Sequence, residues 1–276
     1  ITEKCNYSCH FCFAKWRQSN EIWKDKSAVT DILNKIAESK SNVALKSITE
    51  CSGNNATRIN FVGGEPLIIG ERLISYARIA KGLKLSTSMI TNGTLLRKFI
   101  KIVNYIDTVG ISIDSLNHDT NLLIGRTDNQ GHTISRERLN ELIFEVRKIN
   151  PSIEIKFNVV VNAYNWNEIL VPQLLFFNPA KIKIFRQLPF GAEKGISKRK
   201  FDHFLEKNDT DRDMIYKEDN CDMRNSYLMI DPQGRFFQNG NADGYEYSEP
   251  IQDVGLNAAL QDIKFDCEKF LRRYKI

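Results

Sequence analysis

The sequence lacks most features that would place a chain of 276 residues in a special class. No apolar run approaches the roughly eighteen residues that a membrane span requires. Its charge is nearly balanced, since 39 Lys+Arg against 34 Asp+Glu leave +5. That excess is too small and dispersed for a nucleic-acid-binding tail, though it can serve an anionic small ligand. Six cysteines are too few for a disulfide-dense secreted scaffold, and no signal-peptide pattern is visible. Low-complexity segments are absent too. The chain opens at Ile1 rather than Met, so its first strand is expected to begin upstream. What is there is an ordinary globular composition, 42% hydrophobic and 26% charged, long enough for one large α/β domain or two small ones.

The cysteines give the first positive signal. Cys5, Cys9 and Cys12 follow a C-x3-C-x2-C spacing, while Cys51, Cys221 and Cys267 stand apart and are expected to be free thiols. Three readings compete for the cluster. Structural zinc wants four ligands, and His10 is an awkward fourth. Disulfides suit an exported protein. An iron–sulfur cluster held by three thiolates leaves one iron open to a substrate or cofactor. Ile1-Thr2 reads as the end of a strand, a rigid platform for such a loop. Phe11 and Phe13 interleave with the thiolates and would either shield a cluster from water or simply pack in the core.

Beyond the loop, short β-branched runs alternate with amphipathic helical patterns, the signature of βα repeats and a parallel sheet. Helices are expected over 27–38 (with Ser27 as N-cap), 71–82, 94–105 and 136–149, the last stopping at Asn150-Pro151. Strands are expected at 58–62, 85–91, 108–113, 153–161 and 181–187. With the strand truncated at Ile1 this makes about six βα units by residue 190, too few for a closed eight-stranded barrel. The fold class is therefore α/β, a partial open (β/α)6 TIM-like barrel over residues 1–190. A C-terminal α+β extension, residues 191–276, would cover its mouth with a helix at 197–207, a hairpin around Asp231-Pro232-Gln233-Gly234 and a helix at 256–271.

Functional side chains are sought at the C-terminal strand ends. Gly63-Gly64-Glu65-Pro66, Thr91-Asn92-Gly93 and Ser112-Ile113-Asp114-Ser115 all sit there. Each alone is an ordinary βα turn, but together with the cysteine loop they line one rim. The glycine pair lets the backbone approach a ligand, and Glu65 can accept from an amine. A second pattern is cationic. Arg58, Lys156, Lys181 and Lys183 fall inside strand-like runs, and Arg126 follows the fourth strand. Any one of them can snorkel outward, yet five together suit a polyanion, since Arg and Lys are the usual phosphate partners. Asn60 and Asn158 lie two residues after a basic one and point the same way. Tyr227, if not simply core, belongs to the cover and lies over the mouth.

Cys5-Asn6-Tyr7-Ser8-Cys9-His10-Phe11-Cys12-Phe13, Asn60 to Pro66, Leu123-Ile124-Gly125-Arg126, Lys156-Phe157-Asn158, Pro179 to Phe185 and Ser226-Tyr227-Leu228 resemble, in order, the viperin-like radical S-adenosylmethionine enzymes. The resemblance implies that Cys5, Cys9 and Cys12 ligate a [4Fe-4S] cluster. Gly63, Gly64, Glu65, Asn92 and Ser112 would then hold S-adenosylmethionine. It implies further that Arg58, Arg126, Lys156, Lys181 and Lys183, with Asn60 and Asn158, bind a nucleoside triphosphate, and that Tyr227 sits beside the ribose as a catalytic residue. The implied reaction takes the 4′ hydrogen and loses the 3′ hydroxyl as water. Its product is a 3′-deoxy-3′,4′-didehydro nucleotide, from CTP foremost and UTP or GTP as alternatives, which terminates chains in antiviral defence. A flavodoxin- or ferredoxin-type electron donor is the expected partner of a cytoplasmic monomer, with no membrane and no nucleic-acid polymer. Two other functions compete: a peptide maturase of the same cofactor chemistry, against which the isolation of Cys221 and Cys267 argues, and a non-enzymatic zinc module.

Overall fold

The computed structural model describes residues 1–12, 20–38, 57–189, 195–239 and 245–272. Phe13, Cys51 and the expected boundary at residues 190–191 lie outside the described residues. Six strands form one parallel sheet in chain order: β1 Arg58–Phe61, β2 Ser86–Thr91, β3 Thr108–Ser112, β4 Glu154–Val161, β5 Lys181–Arg186 and β6 Ile215–Glu218. Helix α1 (Lys26–Glu38) precedes β1; α2 (Glu71–Gly82), α3 (His118–Ile124), α4 (Arg136–Ile149), α5 (Val171–Leu175) and α6 (Lys198–Lys207) fall between the strands. A three-stranded antiparallel sheet follows, β7 Met229–Ile230, β8 Arg235–Asn239 and β9 Tyr245–Pro250, with the short helices α7 Ile251–Val254, α8 Leu256–Gln261 and α9 Cys267–Arg272. Neighbouring strands pair from β1 through β6, and no ladder joins β6 back to β1 among the described residues. The barrel is open.

Alternation along the strands explains the architecture. Met89, Val109, Ile111, Ile155, Phe157, Val159, Ile182 and Ile184 are fully or almost fully buried and join the helices in one core. Burial of each such side chain contributes about 1.5–3 kcal/mol. Their alternates therefore share the opposite face, and many of these are polar. The register places Lys156 beside Lys181, then Ser112, Asn158, Lys183 and Tyr216 in one row, then Glu218 beside Phe185.

Several sequence expectations are corrected in detail. The Ile1-Thr2 segment hydrogen-bonds to residues 62–64 without being a strand of the sheet. The sixth strand is β6, which follows residue 190. The expected helix over 94–105 is a run of turns closing on a 3-10 helix at Ile100–Asn104; Ile100, Ile102 and Val103 are β-branched and favour a full α-helix poorly there. Asp25 rather than Ser27 caps α1, its Oδ1 accepting from the Ser27 and Ala28 amides at 2.8 and 3.2 Å. The helix expected over 256–271 breaks into α8 and α9.

The start of the chain is anchored by Glu21, which is 4% exposed. It accepts from Thr2 Oγ1 (2.8 Å), Glu3 N (2.9 Å) and Trp23 Nε1 (2.6 Å). Burial pushes its carboxyl pKa up, but these three donors outweigh burial and hold it below the ordinary 4.5. Its stabilisation is therefore present above that value and is lost as pH falls through the lowered one. Glu21→Gln is expected to cost about 1.5–3 kcal/mol at neutral pH, the worth of hydrogen bonds to a charged group. Urea melts of the two proteins should converge as pH drops below 4.5. A gap that does not depend on pH would mean that the charge of Glu21 is irrelevant.

Candidate active site

The cysteine loop is fixed by close backbone approach on two sides. Along the end of β1, the Ile1 nitrogen donates to Val62 O (2.6 Å), Gly64 N to Thr2 O (2.6 Å) and Glu65 N to Lys4 O (2.8 Å). A Cβ on Gly63 would stand 2.2 Å from Thr2 O, and one on Gly64 2.4 Å from Lys4 O. The sequence suggested that these glycines admit a ligand; the approach seen is that of the loop's own leader. On the other side, Ser8 N donates to Gly125 O (3.2 Å) and His10 N to Ile124 O (3.0 Å). Gly125 ends α3 at φ 76°, with Ser8 O 2.5 Å from where its Cβ would be.

Side chains complete the mounting. Glu65 is fully buried; one oxygen accepts from Thr91 Oγ1 (2.7 Å) and Leu67 N (3.1 Å), the other from Asn92 N (2.7 Å). Burial pushes its pKa up against these donors. Asn92 donates in turn to Asn6 Oδ1 (2.9 Å), with Cys5 Sγ 3.9 Å away. Asn6 donates to Thr94 Oγ1 (2.8 Å), which donates to Asn92 Oδ1 (2.7 Å). The second strand end thus grips the residue after Cys5. In the sequence Asn6 stood out only as part of the cysteine motif, and nothing pointed to Thr94 beyond its neighbours.

Arg126 and Asp114 form a buried ion pair at 2.9 Å, and Arg126 also donates to the Ser112 carbonyl. Asp114 accepts from Val160 N at 2.7 Å. The guanidinium lies 4.0 Å from Cys9 Sγ and 5.6 Å from the centre of the Tyr7 ring. Arg126 therefore sits with the cysteine loop. Burial works against its charge, while Asp114 and Cys9 sustain it. Burial also pushes the Cys9 thiol up to about 12, with Arg126 pulling the other way. Cys5 is exposed, and Cys9 and Cys12 are half-buried.

The inner face of the sheet holds the other sequence-predicted residues. Arg58 and Asn60 are exposed on β1, and Asn60 accepts from Ser88 Oγ (2.9 Å). Asn158 is 8% exposed, and its Oδ1 has no hydrogen-bond partner. Lys181 lies 4.1 Å from the centre of the Tyr216 ring. Burial lowers its pKa, and the next cause is the positive charge of Arg58. Arg58 is on β1 and Lys181 on β5, four strand spacings or about 19 Å apart in a flat sheet. Both side chains lie on the same face of the sheet. Lys183 is 4% exposed and paired with Glu218 at 2.5 Å. The other oxygen of Glu218 accepts from the Tyr227 hydroxyl. Glu218 was missed by sequence reasoning; the one available signal was its two-residue spacing from Tyr216 in a four-residue strand.

Three thiols on one loop, with Cys5 open to solvent and the Arg126 cation beside Cys9, fit a thiolate-bound iron–sulfur cluster, whose negative charge that cation offsets. A three-cysteine loop at the C-terminal rim of an open parallel α/β barrel, mounted on a Gly-Gly-Glu-Pro turn, defines a radical S-adenosylmethionine protein.

The comparisons agree. The Radical SAM superfamily matches residues 1–143. An S-adenosylmethionine-dependent nucleotide dehydratase of Fibrobacter sp. (strain UWH6) is 42% identical over all of this chain and 86% of its own length. The Psychrobacter lutiphocae protein of the same name is 38% identical over all of this chain and 93% of its own. That of Danio rerio is 32% identical over 99% and 75%. The chain belongs to this family of S-adenosylmethionine-dependent nucleotide dehydratases within the radical SAM superfamily. Among solved structures, Streptococcus suis SuiB bound to S-adenosylmethionine matches 85% of this chain, which spans 57% of that one, with a TM-score of 0.58 and 17% identity. That likeness is one of fold.

If the glycine pair exists to seat the loop, Gly64→Ala should fold and yet hold the cysteines badly. Anaerobic reconstitution is expected to give less than about half the iron per chain of the parent, with an unchanged far-ultraviolet circular dichroism spectrum. Full iron loading would overturn this assignment.

Proposed function

We propose that this chain converts a nucleoside triphosphate to its 3′-deoxy-3′,4′-didehydro analogue, with CTP preferred over UTP and GTP, and that the product serves antiviral defence as a chain terminator. The observation that carries the reading is the concave face, where cationic and amide side chains from β1, β4 and β5 converge below the cysteine loop. A packed barrel interior would be apolar. This one suits a polyanion.

On this reading Cys5, Cys9 and Cys12 hold the [4Fe-4S] cluster, and Gly63, Gly64, Asn92 and Ser112 lie against S-adenosylmethionine, while Glu65, buried with both oxygens occupied, shapes that rim from behind. When bound, the two together supply the carbon radical that takes the 4′ hydrogen. Arg58, Lys156 and Lys181 receive the phosphates at the floor of the face. The unpartnered amide oxygen of Asn158 is available to a ribose or base donor one step higher. Lys183 contributes a cation whose charge Glu218 already meets, and Tyr227 stands at the rim above it. The segment after residue 190 supplies Glu218 and Tyr227, which supports its role as a cover for the mouth. A one-electron donor of the flavodoxin or ferredoxin class would serve the enzyme, which we take to be a monomer.

Anaerobically reconstituted protein, given dithionite, S-adenosylmethionine and each nucleoside triphosphate in turn, is expected to yield the didehydro nucleotide by mass spectrometry, with CTP the fastest. Absence of that product with all four would sink the proposal. Lys156→Ala is expected to weaken nucleotide binding about 10- to 100-fold, the worth of one charge-assisted hydrogen bond. Uncoupled cleavage of S-adenosylmethionine should persist in that variant. Equal loss of both would make Lys156 structural.

A further inference from the structure

Glu218 stands where a triphosphate site should not want it. It is 1% exposed, on the polar face of the sheet, and a carboxylate there repels a polyanion. Burial of such a charge is tolerated only when it is paired, and its two oxygens have separate partners. One accepts from Lys183 Nζ at 2.5 Å, the other from the Tyr227 hydroxyl. The carboxylate therefore connects a sheet cation to a residue of the C-terminal segment. Its height in the sheet matters as well. Lys156 and Lys181 pair in register; Asn158 and Lys183 are the next inward row; Phe185 and Glu218 are the row after that, toward the cysteine loop. Along the face the Lys156–Lys181 pair thus comes first, and the Glu218 carboxylate follows nearer the rim.

We propose that Glu218 is a positioning residue of this site: it fixes the Tyr227 hydroxyl at the level of the ribose and holds Lys183 in the row above the Lys156–Lys181 pair. The proposal rests on the nucleotide reading above. It makes a carboxylate inside an anion site useful, because one group then orients both the Tyr227 hydroxyl and the Lys183 ammonium. It also separates binding from turnover. The floor sets affinity, and the Lys183–Glu218–Tyr227 group sets the pose.

The test is Glu218→Gln, which keeps the shape and removes the charge, beside Glu218→Asp, which keeps the charge and shortens the reach. Nucleotide binding is measured by calorimetry on the cluster-loaded protein without reductant, and turnover under reducing conditions. For Glu218→Gln the dissociation constant for CTP is expected to stay within about threefold or to tighten, while kcat falls at least about tenfold. Glu218→Asp and Tyr227→Phe should show the same split. The double variant Glu218→Gln/Tyr227→Phe should lose no more than either single one, since both break one unit. Weakened binding of tenfold or more in Glu218→Gln, or unchanged kcat, overturns the proposal, as do losses that multiply in the double variant. A wild-type protein that binds CTP but forms no didehydro product would instead overturn the reaction proposed above. The binding arm still judges Glu218 in that case, because loss of CTP affinity in Glu218→Gln contradicts its place above the phosphate floor.

Discussion

The structure depends on a division of labour between the two faces of one parallel sheet. Residues such as Met89, Ile111, Phe157 and Ile184 bury their side chains against the helices, and this burial supplies the dominant favourable term. Their alternates must then face inward. An open barrel with six strands cannot close and fill its interior as an eight-stranded one does. The concave face is left for polar groups, and these are affordable only with partners or a ligand. Asp114 answers Arg126, and Glu218 answers Lys183.

A second constraint, steric rather than electrostatic, holds the cysteine loop over that face. The loop has little regular structure of its own. Its position is set where Thr2 and Lys4 meet Gly63 and Gly64, and where Ser8 meets Gly125, at distances that no Cβ would permit. Glu65 extends this grip to Thr91 and Asn92 without meeting solvent. Function and folding share these residues. A glycine or glutamate at the rim can be essential to chemistry by shaping the loop that receives a ligand, without touching the ligand itself.

Much of this was visible in the chain. β1 to β5 were read from β-branched runs, because burial on one face imposes strong alternation on Ile153 to Val161 and Lys181 to Gln187. Helices α2 and α4 followed from apolar spacing and the Pro151 stop. The three-cysteine spacing, the Gly-Gly-Glu-Pro run and the inward cations were local patterns too. β6 was not legible, since four residues, Ile215-Tyr216-Lys217-Glu218, carry too short a pattern to separate from a loop. The region 94–105 misled because its apolar spacing is helical while its β-branched side chains disfavour an α-helix.

The sequence therefore settled which residue types lie on which strand, and with them the family, because side-chain alternation and motif spacing are properties of neighbours along the chain. It left open which charge answers which. Arg126, read with the phosphate cations, has Asp114 and Cys9 as neighbours, and Lys183, read with them too, shares a buried carboxylate with Tyr227. Those assignments come from pairs separated by 12 residues for Arg126–Asp114 and 35 for Lys183–Glu218. Only the turn of the chain around α3 and the pairing of β6 with β5 bring them together, and a buried charge takes its role from whatever the fold places within hydrogen-bond reach.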